Sequence, residues 1–311
     1  MKRRDFIRNI GLMGAVTLFP AVGLNAITNI TAKLGGATDP DLVAFMGGSP
    51  EEMLKKAMTE MGGIANYVKK GQTVVLKPNI GWDKAPELAA NTNPELVGAM
   101  VKLCLSAGAK EVLVFDHTCD NWQSSYRNSG IEKSVKEAGG RILPGNDETM
   151  YVEVELPNAV SLKKTKIHKA ILDCDVWFNM PVLKNHGGPK MTVSMKNLMG
   201  IVWDRRFFHQ NNLHQCIADI ATYPKKPALN IVDAYRIMKT NGPQGKSLAD
   251  VALTKALFIS PDMVAVDTAA IKFFSQVQEM NLADVQYLAM AQKQKVGTMN
   301  LDKLNIKRVK M

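Results

Sequence analysis

The chain has 311 residues, of which 46% are hydrophobic, and a formal net charge of +10. This length is enough for one large hydrophobic core or for two smaller lobes. The positive charge comes without zinc-finger spacing and without a basic stripe interleaved with aromatic residues, so the sequence predicts that no nucleic acid is bound.

The N-terminus has the pattern of an export signal. Arg3 and Arg4 precede a short apolar segment, residues 11–24, which is too short and too rich in glycine to predict a spanning helix. The arginine pair fits the twin-arginine pattern, which a translocon receptor reads. We therefore expect a signal peptide over residues 1–26 and a tether over 27–41. A periplasmic location follows, with the twin-arginine translocon as a partner during export and membrane contact only through an uncleaved signal.

Export by this route favours a bound cofactor, because it carries proteins that have already folded in the cytoplasm, often around a cofactor. The sequence does not identify that cofactor. An iron–sulfur cluster is not expected, since the cysteines lie far apart without a C-x-x-C spacing. They are Cys104, Cys119, Cys174 and Cys216. Residues 1–26 hold four basic side chains and one acidic one, so the remainder keeps a formal charge of +7.

From residue 42 onward, predicted strands and helices alternate. The predicted strands are 73–77, 111–116, 151–156, 175–182, 228–233 and 255–260. The predicted helices are 93–108, 129–138, one from about 190, 213–222 and 262–274. This alternation predicts an α/β domain over 42–311, with a largely parallel, doubly wound sheet and helices on both faces. A division into two lobes near 150–170 is left open, and strict alternation over 151–156 predicts an edge strand with one wet face.

Polar residues follow several of these strands where the chain leaves the sheet. In open parallel sheets, ligands bind beyond the carboxyl ends of the strands. The residues in question are Lys77 with Asn79, Asp116 with His117, Lys184 with His186, Asp233, and Asp262. Strand ends also meet water, and a polar residue there often caps the next helix. We expect Asp262 to cap a helix. For Asp116 and His117, the sequence favours neither the capping role nor a functional role over the other.

The segment after Lys184 combines turn residues with positive charge. Gly187 and Gly188 favour a tight turn, and Pro189 suits the first position of a helix. A helix that begins there would expose backbone N–H groups beside His186 and Lys190. The segment therefore predicts an anion cradle, although the P-loop spacing is absent.

Histidines offer a second kind of site. Imidazole and carboxylate groups are common metal ligands. The histidines in polar junctions are His117, His186, His209 and His214. Their spacing matches no compact ligand motif, so the presence of a metal stays unknown.

Several segments resemble, in order and spacing, the family of domain of unknown function 362. They are VVLKPNIG from 74, TNPELVGAMVKL from 92, MPVLKNHGGPKMTVSMKNLMGIV from 180, RRFFHQ from 205, IVDAYRIMKTNGPQGK from 231 and ISPDMVAVDTAA from 259. The resemblance covers roughly residues 42–307. Some members carry an iron–sulfur segment, which has no counterpart here. The positions that match are Lys77, Asn79, Lys184, His186, Lys196, Asn197, His209, Asp233, Asp262 and Asp267.

The sequence thus predicts an exported protein that binds an anionic small molecule or cofactor in a basic cleft and acts on it as an enzyme of unassigned reaction. His186, His117 and Asp116 are the predicted catalytic groups. The predicted binding residues are Lys77, Asn79, Lys184, Lys190, Lys196, Asn197 and Asp233. Two alternatives stay open. One is a binding or accessory protein without turnover, and the other is a metal-dependent redox protein with His and Asp ligands.

Overall fold

The computed structural model describes residues 39–311, so the predicted signal peptide and most of the predicted tether lie outside the described residues. The strands are β1 (Leu42–Met46), β2 (Thr73–Pro78), β3 (Glu111–Val114), β4 (Arg141–Ile142), β5 (Tyr151–Glu155), β6 (Lys164–His168), β7 (Val176–Met180), β8 (Val182–His186), β9 (Lys190–Thr192), β10 (Leu229–Met238), β11 (Val251–Ser260) and β12 (Ile306–Lys310). The α-helices are α1 (Pro50–Glu60), α2 (Pro94–Ser106), α3 (Trp122–Asn128), α4 (Ile131–Glu137), α5 (Lys169–Asp173), α6 (Ser194–Asn197), α7 (Arg206–Gln210), α8 (Leu213–Ile220), α9 (Met263–Phe274) and α10 (Gln286–Lys293). Across residues 39–311, no helix combines the length and apolar character that a bilayer crossing requires.

The main sheet has the strand order β12-β1-β11-β10-β7-β2-β3-β4. From β10 to β4, each strand is parallel to its neighbour, while β11 runs antiparallel to both β10 and β1. Strand β8 continues the line of β7 and pairs in parallel with β10. The predicted α/β fold with a mostly parallel sheet is therefore confirmed.

Helices cover both faces of this sheet. Side chains alternate along a strand, so neighbouring residues enter different cores. In β2, Val74 and Leu76 enter the core that contains Met53 of α1 and residues of α2. Val75 enters the opposite core with Ala265 of α9. Strands buried on both faces read as continuous apolar runs, which is why β2, β3 and β7 could be recognised from sequence.

The predicted edge strand at 151–156 lies in a second, two-stranded sheet. There β5 pairs antiparallel with β6 and belongs to no strand pair of the main sheet among the described residues. Val152 is exposed and Leu156 is buried. This small sheet occupies the region where the sequence left a lobe division open, and residues 39–311 cluster as one unit.

The predicted helix from about residue 190 is wrong. The chain forms a hairpin instead, in which Lys184 pairs with Thr192 and His186 with Lys190. Thr192 and Val193 are β-branched and favour extended backbone, which outweighs the helix signal of the preceding proline. Helix α6 starts only at Ser194, and a 3-10 turn over Leu198–Ile201 follows it.

The caps of α2 and α9 agree with the sequence. The side chain of Asn93 accepts a hydrogen bond from the N–H of Glu95 at 2.9 Å, and Pro94 occupies the first turn. Asp262 Oδ1 accepts from the N–H groups of Val264 and Ala265, each at 2.9 Å. The capping role predicted for Asp262 is confirmed, and both caps satisfy N–H groups that have no partner within the helix.

Candidate functional site

A cavity of about 340 Å³ opens where β2, β3 and the β8–β9 hairpin end. The predicted site residues that line it are Lys77, Asn79, Asp116, His117, Lys184, His186, Lys196 and Asn197. Side chains from a second segment, Arg205, Arg206 and His209, complete one wall. The parallel strand order brings these groups together, because neighbouring strands end at the same edge of the sheet.

Lys77 and Asp116 form a buried ion pair on one wall of the cavity. The Lys77 Nζ and Asp116 Oδ1 atoms lie 2.8 Å apart, and the side chains are 1% and 2% exposed. Asp116 Oδ2 also accepts a hydrogen bond of 2.6 Å from the N–H of Ile80. Burial lowers the pKa of Lys77, and the carboxylate of Asp116 opposes that shift. The charge on Lys77 is thus compensated within the protein.

Lys184 lies in the same cavity and has no carboxylate partner among residues 39–311. Its ammonium group donates to Asn79 Oδ1 at 3.1 Å and to the carbonyl oxygen of Ala90. Burial, followed by the charge of Lys196, lowers its pKa to about 7. Both acceptors are neutral, so the charge of Lys184 is solvated by dipoles rather than neutralised.

Lys196 projects from α6 into the cavity and is the least constrained of the three lysines. Within residues 39–311, its ammonium group has no hydrogen bond and no ion pair, and its side chain is half-buried. Burial lowers its pKa to about 8, and Arg205 and Lys77 add repulsion. Thr192 Oγ1, also in the cavity wall, is buried and lacks a hydrogen-bond partner in the described part of the chain.

The histidines of the cavity are neutral near pH 7. Burial lowers the pKa of His117 to about 4, its Nδ1 lies 2.9 Å from the carbonyl oxygen of Val202, and its ring stacks on Trp203 at 5.0 Å. Burial and the charges of Lys196 and Lys184 lower the pKa of His186 to about 2. The buried Nδ1 of His186 has no partner among the described residues. Both rings suit hydrogen bonding to a ligand better than proton transfer at neutral pH.

A row of asparagine amides connects the cavity to the interior of the sheet. Asn197 Oδ1 accepts from Lys77 Nζ at 2.8 Å and from Asn79 Nδ2 at 3.0 Å. Asn197 Nδ2 donates to Asn179 Oδ1, and Asn179 Nδ2 donates to Asn230 Oδ1, each at 2.9 Å. Asn230 Nδ2 then donates to the carbonyl oxygen of Ser260 at 3.3 Å. We call Asn197, Asn179 and Asn230 the amide row.

Sequence reasoning missed Asn179 and Asn230 of this row. They occupy matched positions in β7 and β10, and Asn179 is also the register partner of Lys77 in β2. Both are fully buried. The sequence carried one signal for them, a single asparagine inside each apolar strand, in VWFNM and ALNIV. Because a buried polar group needs hydrogen-bond partners, two such asparagines can be expected to bond to other buried polar groups.

Arg205 and Gly200 also escaped the sequence analysis as individual site residues. Arg205 donates to the carbonyl oxygens of His117 at 2.8 Å and Thr118 at 2.6 Å, and its Nη1 lies 3.2 Å from Cys119 Sγ. A Cβ atom on Gly200 would lie 1.8 Å from Asp116 Oδ1, so the ion pair occupies the space that a side chain needs. Both residues lie within segments that carry the family resemblance.

Two predicted binding residues do not line the cavity. Asp233 is buried and accepts from the N–H groups of Asn93 at 2.7 Å and Tyr235 at 3.0 Å. It therefore fixes the start of α2 and the path of β10. Lys190 is exposed in the hairpin, with a φ of +68°. With no helix beginning at Pro189, the predicted anion cradle on a helix N-terminus is wrong, and the positive charge comes from side chains.

Asp267, a position that the family resemblance includes, binds the backbone of the segment that carries Lys196. Its Oδ1 and Oδ2 accept from the N–H groups of Ser194 at 2.8 Å and Met195 at 2.9 Å. Helix α9 thereby anchors the turn that carries Lys196. Burial raises the pKa of Asp267 to about 7, against the lowering effect of these N–H groups.

The side chains that could hold a metal are scattered. Across residues 39–311, no group of three or more His, Cys, Asp or Glu side chains has the arrangement of a metal site. His214 lies outside the cavity and stacks on Tyr287 with ring centroids 6.0 Å apart. The four cysteines are free thiols, and Cys119 is the one that reaches the cavity.

The residues that line the cavity all lie within a part of the chain that matches a known family. The family described as Domain of unknown function (DUF362) matches residues 74–272. The thylakoid-associated protein sll1697 of Synechocystis sp. is 28% identical over 240 residues, which are 72% of this chain and 70% of that protein. The lactate racemase apoprotein of Thermoanaerobacterium thermosaccharolyticum superposes with a TM-score of 0.48 at 14% identity, covering 76% of this chain and 57% of that one.

Proposed function

The chain belongs to the family of domain of unknown function 362, and we propose that its cavity binds a small anionic molecule, bearing a carboxylate or a phosphate, and acts on it as an enzyme. The observation that carries the proposal is the ammonium group of Lys196, which has no partner in the described part of the chain and lies near that of Lys184. Lys184 is buried and Lys196 is half-buried, and a cation that is withdrawn from water without a counter-ion, as both are among residues 39–311, is costly. A bound anion supplies the missing charge.

The charge balance of the cavity supports this reading. Asp116 is the one acidic group among the described side chains that line the cavity, and it already forms an ion pair with Lys77. Lys184, Lys196, Arg205 and Arg206 remain as cations without a carboxylate partner in residues 39–311. Charge-assisted hydrogen bonds to such groups are the strong ones in proteins.

The size and polar lining of the cavity support a small ligand. Its volume of about 340 Å³ lies at the lower end of the range for small-molecule sites. Thr192 Oγ1 and His186 Nδ1 are buried and unpartnered in the described part of the chain. Each offers a hydrogen bond that an anion or its bound water can complete.

Binding without turnover is the rival function, and the two share the same first test. Calorimetric titration at low ionic strength with inorganic phosphate and with malonate should detect binding of one of them to the wild-type protein. Lys196→Met should weaken that binding by roughly one to two orders of magnitude, because a hydrogen bond to a charged group contributes ~1.5–3 kcal/mol. Lys102→Met, an exposed site on α2, is the matched control and should leave affinity unchanged.

Equal affinity of the wild-type protein and Lys196→Met would contradict the anion site. If binding holds, turnover separates an enzyme from a binding protein. Ligand that co-purifies with the wild-type protein and is absent from Lys196→Met can be identified by mass spectrometry. Conversion of that compound on incubation with fresh protein supports the enzyme, and unchanged recovery supports a binding protein.

We also propose export through the twin-arginine pathway, on the strength of Arg3 and Arg4 before the apolar segment 11–24. Changing both arginines to lysine preserves their charge. Export should stop in this variant, and cell fractionation would measure it. Undiminished periplasmic protein would contradict the proposal, and a double change of the exposed Lys55 and Lys56 to Arg is the control that should leave export intact.

A further inference from the structure

We propose that Lys196 forms an imine with the carbonyl carbon of an anionic aldehyde or 2-oxo acid bound in the cavity. This inference rests on the proposed function, because the anionic group brings the carbonyl to the amine. It narrows the ligand class from any small anion to one that carries an aldehyde or ketone.

The partners of the three cavity lysines single out Lys196. Lys77 Nζ is engaged by Asp116 and Asn197, each at 2.8 Å. Lys184 Nζ donates to Asn79 and Ala90. In residues 39–311 the Lys196 amine has no such partner and lines the cavity. A nucleophilic nitrogen needs access to the carbonyl and no competing partner, and Lys196 meets both requirements among the described residues.

The backbone that carries Lys196 is held on both sides. Asp267 binds the N–H groups of Ser194 and Met195, and the side chain of the next residue, Asn197, bonds to Lys77 and Asn179. The amine therefore reaches the cavity from a fixed base. Such positioning supplies much of the advantage of an intramolecular reaction.

The surroundings also raise the fraction of Lys196 that is present as the neutral amine. Burial and the nearby cations lower the pKa of Lys196 to about 8. At pH 7 its neutral fraction is roughly two orders of magnitude larger than that of an ordinary exposed lysine. Lysines that form imines with carbonyl substrates are activated in this way, by desolvation or by a neighbouring cation.

The step balances with groups that are present in the cavity. The lone pair of the Lys196 amine attacks the carbonyl carbon, a C–N bond forms, and the C–O bond breaks as water leaves. One hydrogen of that water comes from the amine and the other from the Lys184 ammonium group. The products are a cationic iminium on Lys196 and a neutral Lys184, so total charge is conserved. Lys184 suits the donor role because two of its three N–H bonds are engaged and its pKa lies at about 7.

The test is reductive trapping of the full chain with pyruvate and sodium cyanoborohydride, followed by peptide mass spectrometry. The reductant delivers hydride to the iminium carbon and makes the bond permanent. Labelling of Lys196 should exceed labelling of the exposed Lys102 by roughly 100-fold at pH 7, in proportion to the neutral fractions. Lys196→Arg keeps a cation at the position and should abolish the specific label.

Two further readouts separate this inference from the proposed function. Pyridoxal 5′-phosphate repeats the trapping with a phosphate-bearing aldehyde, and phosphate titration measures anion binding alone. Phosphate or malonate binding without a Lys196 label from either carbonyl compound would overturn the imine and leave the anion site standing. Labelling confined to Lys184 or to exposed lysines would overturn it as well. Absence of binding by both simple anions would instead overturn the proposed function. A melting curve for Lys196→Arg confirms that a lost label is not a lost fold.

Discussion

Lys77 lies near the end of β2 and Asp116 lies two residues after the neighbouring parallel strand β3, and their charged atoms are 2.8 Å apart inside the protein. Among the described residues, neither side chain has another oppositely charged partner. Replacing one of the two should therefore lower stability more than replacing both. Asp116→Asn leaves a buried cation unpaired and should lower the free energy of unfolding by ~3–5 kcal/mol. Urea denaturation measures this change.

The double variant Lys77→Met/Asp116→Asn tests the cause. Removing both charges should recover part of the lost stability, because no unpaired ion remains. A double variant that is less stable than Asp116→Asn would show that the lysine contributes by packing rather than by charge.

Gly200 should tolerate no side chain. In Gly200→Ala, the new Cβ would lie 1.8 Å from Asp116 Oδ1 and 2.5 Å from Lys77 Nζ, so the ion pair must move. Overpacking of this kind costs ~1–3 kcal/mol or more, and we expect at least that loss in thermal or urea unfolding. Gly187→Ala is the matched control. It has no atom within 4 Å of the added Cβ and should change stability by less than ~0.5 kcal/mol.

Replacing Lys196 should stabilise the protein without ligand. Its pKa is about 8 in the folded state, below the ordinary ~10.4, so the unfolded chain holds the proton more tightly. The resulting cost is present in full below pH 8 and disappears as pH rises towards 10.4. Lys196→Met should therefore raise the free energy of unfolding by ~1–3 kcal/mol at pH 7 and by much less near pH 10.

Lys102→Met serves as the control for that measurement, because the side chain is exposed on α2. It should shift stability by less than ~0.5 kcal/mol at both pH values. A loss of stability in Lys196→Met at pH 7 would assign Lys196 a structural role and remove the main support of the anion site.

Asp267 should make stability depend on pH in the opposite sense to an ordinary carboxylate. Its pKa is raised to about 7, whereas the unfolded value is ~3.9, so the native state holds the proton more tightly between these limits. Its contribution to stability falls as pH rises from ~4 to ~7, by up to ~1.4 kcal/mol per pH unit. Asp267→Asn does not titrate, so the wild-type protein should lose stability relative to this variant between pH 5 and pH 7.

Denaturation curves at several pH values measure that difference. Burial raises the pKa of Asp233 to about 6, so this residue also lowers stability as pH rises. It does so equally in the wild-type protein and in Asp267→Asn, and its effect cancels from the difference between them. Asp284→Asn, at an exposed position, is the control and should follow the wild-type protein at every pH. A difference that is constant between pH 5 and pH 7 would mean that Asp267 is ionised throughout.

The sequence was informative where one physical rule dominates. Buried parallel strands read as apolar runs, so β2, β3 and β7 could be predicted, and their order brought Lys77, Asp116 and Lys184 to one cavity. Local sequence patterns predicted the wrong element where pairing between strands determines the backbone conformation. Pro189 after two glycines reads as a helix start, yet pairing of β8 with β9 overrides it. Asp233 ends an apolar run like the others, and only its contacts with backbone N–H groups show that it serves the scaffold.

The amide row has a direction. Lys77 can only donate, so Asn197 must turn its oxygen towards the cavity and its nitrogen away, and the same constraint then passes to Asn179 and Asn230. The three side-chain dipoles are aligned head to tail, with their negative ends towards the lysines. An amide that lies two strands away from Lys77 thus contributes to the electrostatic potential at a site it never touches. Asn230→Asp, although nearly isosteric, cannot donate to Ser260 and would reverse the polarity at the far end of the row.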